Sequence, residues 1–132
     1  MNKSIPGNKT LAIVGPHESG KSTLAREIAR KEGEFVEVDA RDLDTPGGVD
    51  RAARNAPAVI ICDGFPTREE ALRRIKDMVM TPTIRVKAMY REPIEIKSPK
   101  FIFCVTESFD RGLSRGLFDV VETACEPVMF DA

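Results

Sequence analysis

Histidine occurs once in these 132 residues, at His17, and cysteine three times, at Cys62, Cys104 and Cys125. The cysteines are far apart, and no Cys-x-x-Cys pair is present. A zinc site is therefore not expected, since a closed tetrahedral site needs four cysteine or histidine ligands. Cys62 and Cys104 lie inside apolar runs, so their expected role is core packing in a reducing compartment. Charge of one sign is also lacking: 20 Lys and Arg stand against 21 Asp and Glu, a net charge of −1. No global basic field steers such a chain to nucleic acid, and any contact of that kind must come from a local patch. Met1 to Thr10 is polar, with Pro6 and Gly7, and forms neither a signal peptide nor a membrane span. Repeats, low-complexity tracts and internal linkers are absent. A hydrophobic content of 42% over this length predicts one globular domain, residues 1–132, with no membrane contact and a cytoplasmic location or one inside a host cell.

One stretch stands out. Gly15-Pro16-His17-Glu18-Ser19-Gly20-Lys21-Ser22 fits G-x-x-x-x-G-K-[ST], the phosphate-binding loop. Leu11-Ala12-Ile13-Val14 before it reads as a buried strand. Thr23 to Arg30 after it is rich in helix formers, with Leu24 and Ile28 one turn apart. Strand, glycine loop and helix are the context this motif needs. The backbone from Gly15 to Thr23 would turn around phosphate oxygens, with N–H donors from all but Pro16, and the helix N-terminus adds its dipole. Lys21 would reach the β- and γ-phosphates. The Ser22 hydroxyl would ligate Mg²⁺, which keeps most of its waters. The expected cofactors are ATP and Mg²⁺.

The rest of the chain alternates. Lys31-Glu32-Gly33 ends the first helix. Phe35 to Val38 reads as a strand, Asp39 to Gly48 as an acidic, turn-rich connection, and Val49 to Ala56 as a short helix. Ala58-Val59-Ile60-Ile61-Cys62 is a continuous apolar run, as a parallel strand covered on both faces requires. Thr67-Arg68-Glu69-Glu70 has capping-box spacing and opens a helix to about Met80, with Ala71, Leu72, Ile75 and Met78 as its apolar stripe. Thr83 to Ala88 and Pro93 to Lys97 both alternate apolar with polar residues around a tip at Met89 to Glu92, which predicts an antiparallel hairpin. Phe101 to Val105 returns to a buried strand. Phe109 to Gly116 reads as a loop or short helix, and Phe118 to Val121 and Val128 to Phe130 as final strand pieces.

Asp63 ends the third strand, at the sheet edge where open α/β folds bind ligands. An acid there is the Walker B position, holding Mg²⁺ directly or through water. Many ATPases place a Glu beside this Asp; here Gly64 follows, and Glu18, Glu69, Glu70 and Glu107 are the substitutes available. Thr106, Glu107 and Ser108 end the fourth strand at the same edge, where a polar side chain contacts the γ-phosphate or the attacking water. Arg111 and Arg115 follow. An arginine reaching a neighbouring subunit's nucleotide would stabilise transition-state charge.

This order of parts resembles the superfamily 3 helicases within the AAA+ ATPases, and more narrowly the helicase domain of replication initiators from small single-stranded DNA viruses. The likeness spans Leu11 to Val121. It is sharpest at Tyr90-Arg91-Glu92-Pro93-Ile94-Glu95-Ile96-Lys97 followed by Phe101 to Ser108. Ser114-Arg115-Gly116-Leu117-Phe118-Asp119-Val120-Val121 is similar to the arginine-finger stretch of AAA+ proteins, which puts Arg115 before Arg111. The resemblance implies an AAA+-like P-loop NTPase fold: a central, mainly parallel sheet flanked by helices, with an inserted β-hairpin. It also implies a DNA-replication motor that hydrolyses ATP between subunits of a homo-oligomeric ring, with a hexamer as the candidate size, located in the nucleus for a eukaryotic virus. Three features depart from the pattern. The Asn that usually ends motif C is replaced by the Thr106-Glu107-Ser108 region. The second Walker B acid is missing. The initiators' nuclease domain and an evident helical lid are absent, so only the motor is implied.

The hairpin also has a reading of its own. From Arg85 to Lys100 there are five basic residues, Arg85, Lys87, Arg91, Lys97 and Lys100, against Glu92 and Glu95. Tyr90, the only tyrosine, falls at the tip. Lys87, Arg91 and Lys97 are expected to grip phosphates of single-stranded DNA, and Tyr90 to stack on a base. Two competing readings remain. Asp63-Gly64-Phe65-Pro66 looks like a stretch of adenylate kinases, which suggests a small nucleoside or nucleotide kinase. The missing catalytic Glu suggests a nucleotide-gated assembly module with little turnover.

Overall fold

A computed structural model describes residues 10–14, 20–87, 92–105 and 125–129. The apolar runs become the strands β1 (Thr10–Val14), β2 (Phe35–Asp39), β3 (Val59–Asp63), β6 (Lys100–Val105) and β7 (Cys125–Met129). All pair in parallel, in the order β2-β3-β6-β1-β7. The next strand in sequence, β2, is thus three places from β1, and β6 is inserted between β1 and β3. Helices cover the sheet: α1 (Lys21–Glu32), α2 (Ala40–Leu43), α3 (Gly48–Ala53) and α4 (Glu69–Met80). Among the described residues no helix is long and apolar enough to cross a membrane.

Two layers of core follow from the pleat, which sends alternate side chains to opposite faces. On one face Leu11, Ile13, Val59, Ile61, Ile102 and Cys104 pack against Ala25, Ile28 and Ala29 of α1. On the other, Ile60, Cys62, Phe101, Phe103 and Val105 meet Leu43, Val49 and Ala53, together with Ala71, Leu72, Ile75, Met78 and Val79 of α4. The apolar stripe expected on α4 is therefore buried in full. Complete burial of one such Leu, Ile or Val side chain contributes ~1.5–3 kcal/mol.

The hairpin forms a separate two-stranded sheet of β4 (Thr83–Val86) and β5 (Ile94–Lys97), antiparallel as expected. Ile84 lies opposite Ile96. Val86 and Ile96 are buried against the α4 face of the core. The N–H of Ser98 donates to Pro82 at 3.0 Å and closes the base.

Three local expectations need correction. The connection after β2 holds a helical turn, α2, because Asp39 and Asp42 form a reciprocal cap: the Asp39 carboxylate accepts from the α2 backbone and Asp42 accepts from the Asp39 N–H at 3.2 Å. The helix α3 stops at Ala53, and Ala56 takes a left-handed φ of 53° as the chain turns toward β3. Thr67 does not cap α4. The residue before that helix is Arg68, without a side-chain cap of its own, and the Asp44 carboxylate accepts instead from the N–H groups of Thr67 and Arg68 at 2.9 Å each. The strand piece read at Val128 belongs to β7. The stretches Phe109 to Gly116 and Phe118 to Val121 lie outside the described residues.

Candidate nucleotide site and hairpin

The strand β1 ends at Val14 and α1 begins at Lys21. Gly15, Pro16, His17, Glu18 and Ser19, between them, lie outside the described residues. Gly20 precedes the helix at φ 93°, a left-handed conformation that costs glycine little and other residues more. Its carbonyl accepts the Leu24 N–H at 3.1 Å, the first turn of α1. Lys21 is 8% exposed, while Ser22 and Thr23 are exposed. The first turn carries no acidic residue. The partial positive charge of the helix end is thus left uncancelled by its own side chains. The Cys104 thiol of β6 lies 4.0 Å from the Lys21 carbonyl, so the start of α1 sits over that strand.

Asp63 is the exposed last residue of β3 after four buried ones. In register, Asp39, Asp63 and Cys104 stand side by side on β2, β3 and β6, and Cys104 stands beside Ile13 of β1. Asp63 is therefore level with the end of β1, two strand spacings or about 9.5 Å away. The strand β6 ends between them, at Val105, opposite Val14. Gly64 continues the row, its N–H donating to the Cys104 carbonyl at 2.8 Å, with φ at 88°. That conformation strains any residue with a Cβ. The glutamate that many ATPases carry here would be strained on this backbone. Glu69 and Glu70, two of the proposed substitutes, are engaged elsewhere: Glu69 pairs with Arg73 at 2.8 Å and Glu70 with Arg68 at 3.5 Å. Glu18 and Glu107 lie outside the described residues.

Asp39, which sequence reading did not single out, is the neighbour of Asp63. The Arg41 backbone N–H at 2.9 Å and then its guanidinium at 3.2 Å hold the Asp39 carboxyl below the usual carboxylate range. It is a cap for α2, committed to that helix. The signal was its spacing of three from Asp42.

Ser22 and Asp63 are the expected magnesium ligands. Both are exposed oxygen donors at the same end of the sheet, a fit to a hard cation that retains several waters. Among the described residues no three His, Cys, Asp or Glu side chains converge on a common point.

In the hairpin, Lys87 and Lys97 are both exposed, and Tyr90 and Arg91 lie outside the described residues. Lys97 sits at the base opposite Thr83, and Lys87 follows Val86 toward the tip. Four residue steps, about 14 Å, separate the two along the ribbon. Arg85 faces Glu95 across the strands. Lys100, counted with the hairpin in the sequence, begins β6 instead and pairs with Glu32 at 3.0 Å. Asp50 ties the hairpin to the body: one carboxylate oxygen takes the Arg74 guanidinium at 2.7 Å, the other the Lys87 N–H at 3.1 Å. Arg74 also donates to the Arg85 carbonyl. Thr106, Ser108, Arg111 and Arg115 lie outside the described residues.

No protein-family model matches the chain, and no curated protein matches its sequence. Solved structures do share its fold. The A-form apo structure of the NrS-1 C-terminal region superposes with a TM-score of 0.62 at 15% identity, covering 94% of this chain and 29% of that one. An A-form apo structure of the same region, residues 305–718, gives 0.63 at 13% identity, covering 95% and 29%. A further apo structure of residues 305–718 gives 0.53 at 15% identity, covering 75% and 25%. The chain thus spans less than a third of the length of these structures. At such identities the likeness is one of fold.

Proposed function

We propose that this chain is a P-loop ATPase of AAA+-like, superfamily 3 type, the motor of a DNA helicase or translocase acting in replication. The observation that carries the reading is the strand order. With β6 inserted between the loop strand β1 and the Asp63 strand β3, three strand ends share one edge: the loop, a central strand leading into Thr106 and Ser108, and the acid. A phosphoryl-transfer site needs these three parts, for phosphate, attacking water and metal.

In this reading Gly15 to Thr23 wraps the phosphates, and Lys21 neutralises charge on the β- and γ-phosphates. Ser22 and Asp63 hold Mg²⁺, which when bound offsets charge developing on the phosphate oxygens. Thr106 and Ser108 orient the attacking water, and Glu107 or Glu18 supplies the base that Gly64 excludes from its own position. Arg115, with Arg111 second, reaches the nucleotide of an adjacent subunit in a homo-oligomer, so turnover per subunit rises with protein concentration. Lys87, Arg91, Lys97 and Tyr90 hold single-stranded DNA.

The test is ATP turnover with and without single-stranded DNA. Wild type is expected to be stimulated by DNA. Lys21→Ala is expected to lose turnover by a factor on the order of 10³ and to bind ATP weakly, since it removes the main phosphate charge. Asp63→Asn should keep ATP binding better than it keeps hydrolysis. Wild-type turnover by Lys21→Ala sinks the site. Phosphoryl transfer to a nucleoside monophosphate, without DNA stimulation, turns the assignment to a kinase.

A further inference from the structure

A groove of about 670 Å³ opens between α3, α4 and the 45–48 turn, lined neither by Asp63 nor by Gly20 to Thr23. That volume is in the range of small-ligand pockets. Its bottom is closed by Leu43, Val49 and Ala71, each at least 97% buried, and the exposed Pro46 lines its wall. Its rim is charged. Among the described residues five basic side chains line it against three acidic ones. Two of the acids are engaged: Asp50 by Arg74 and the Lys87 N–H, and Glu70 by Arg68. Asp77 is the third. Arg54 makes no ion pair among the described residues, Arg73 pairs only with exposed Glu69, and Lys87 is exposed. The groove therefore has an apolar side and carries two cations, Arg54 and Lys87, without an ion pair among the described residues, in a chain that is otherwise close to neutral.

We propose that this groove is a second nucleic-acid subsite, holding a nucleotide unit of a single strand that leaves the hairpin at Lys87. The base lies on the exposed ring of Pro46, and Arg54, Arg73 and Lys87 hold the flanking phosphates. Continuity selects this occupant: Lys87 lies on the groove rim and directly follows β4, so a strand along the ribbon passes into the groove. The proposal rests on the reading of the chain as a single-strand-binding motor.

Oligo-dT binding by the full chain, measured across a salt series, tests it. The Arg54→Ala/Arg73→Ala double variant is expected to flatten the slope of log affinity against log salt by about 1.4, since each lost contact to single-stranded phosphate removes about 0.7. Lys76→Ala removes the same kind of charge from α4 outside the groove and should leave the slope as in wild type. An unchanged unfolding midpoint in the double variant establishes that its fold is retained. A slope unchanged in the double variant but flattened in Lys97→Ala overturns the groove and leaves the hairpin reading standing. A slope flattened in the double variant but not in Lys97→Ala supports the groove and removes the hairpin. Competition by polyglutamate as strong as by oligo-dT overturns the nucleotide assignment in favour of an acidic protein segment.

Discussion

The two faces of the sheet are built differently. On the α1 face one long helix covers the strands, and its position is set by apolar contact along Ala25, Ile28 and Ala29. Ion pairs there sit at the margins, Arg26 with Glu37 at 2.9 Å and Lys100 with Glu32 at 3.0 Å. The opposite face carries three helices and the hairpin, and single carboxylates join them. Asp44 holds the start of α4, and Asp50 joins α3, α4 and β4. Apolar contact is non-directional, and it suffices to seat one rigid helix. Several short pieces on one surface leave angles undetermined, and directional hydrogen bonds to a fixed carboxylate determine them. The first face delivers the candidate phosphate loop; the second carries the parts that this reading gives to DNA.

Core deletions on the two faces give the largest expected effect. Phe103 stacks on Phe65 at 4.5 Å and on Phe101 at 5.9 Å. Phe103→Ala is expected to lower unfolding free energy in urea by ~3–5 kcal/mol, and Ile28→Ala on the α1 face by ~2–5 kcal/mol. Only Phe103→Ala should also speed amide exchange in the turn from Gly64 to Arg68, which Phe65 anchors. Equal exchange in that turn for both variants would erase the distinction.

Asp50→Ala comes next, at ~1–3 kcal/mol, because Arg74 and the Lys87 N–H both lose a partner. Faster exchange is expected at Thr83–Lys87, with β1 and α1 unchanged; acceleration spread over both faces would show that Asp50 is no local tie. Asp44→Ala should cost about 1 kcal/mol, as loss of a helix N-cap does, with exchange rising at Thr67 and Arg68. Retained protection at those two amides would assign the cap elsewhere.

Among the described residues each face holds one buried thiol, Cys62 on the α4 side and Cys104 on the α1 side. Burial pushes the Cys62 thiol up, and that of Cys104 up to about 12 from near 9. At neutral pH neither ionises, so the effect there is nil. As pH rises above about 9 the unfolded chain loses these protons first, while the folded protein keeps them, and stability falls through that window toward 12. Cys104→Ala should remove part of this alkaline loss in urea melts compared between pH 8 and pH 10.5. An identical alkaline loss in wild type and Cys104→Ala would show the thiol is not the source.

Local pattern made much of this protein legible. The strand runs, the stripe of α4 and the alternation of β4 and β5 are periodic, and periodicity reports how each residue meets a core whatever that core turns out to be. Asp63 at a strand end and Gly20 before a helix were readable for the same reason. The strand order, the row of Asp39, Asp63 and Cys104, and the groove were not, because they depend on which distant strands become neighbours. The capping-box spacing at Thr67 misled because Asp44, 23 residues earlier, reaches the same N–H groups. Asp50, 37 residues before Lys87, carried no sequence signal at all. By itself the sequence determined the strands, α1, α4 and the hairpin, through their hydrophobic period. Only the tertiary structure decided which carboxylate meets which backbone group, since that choice is made by the packing that brings remote segments within hydrogen-bond reach.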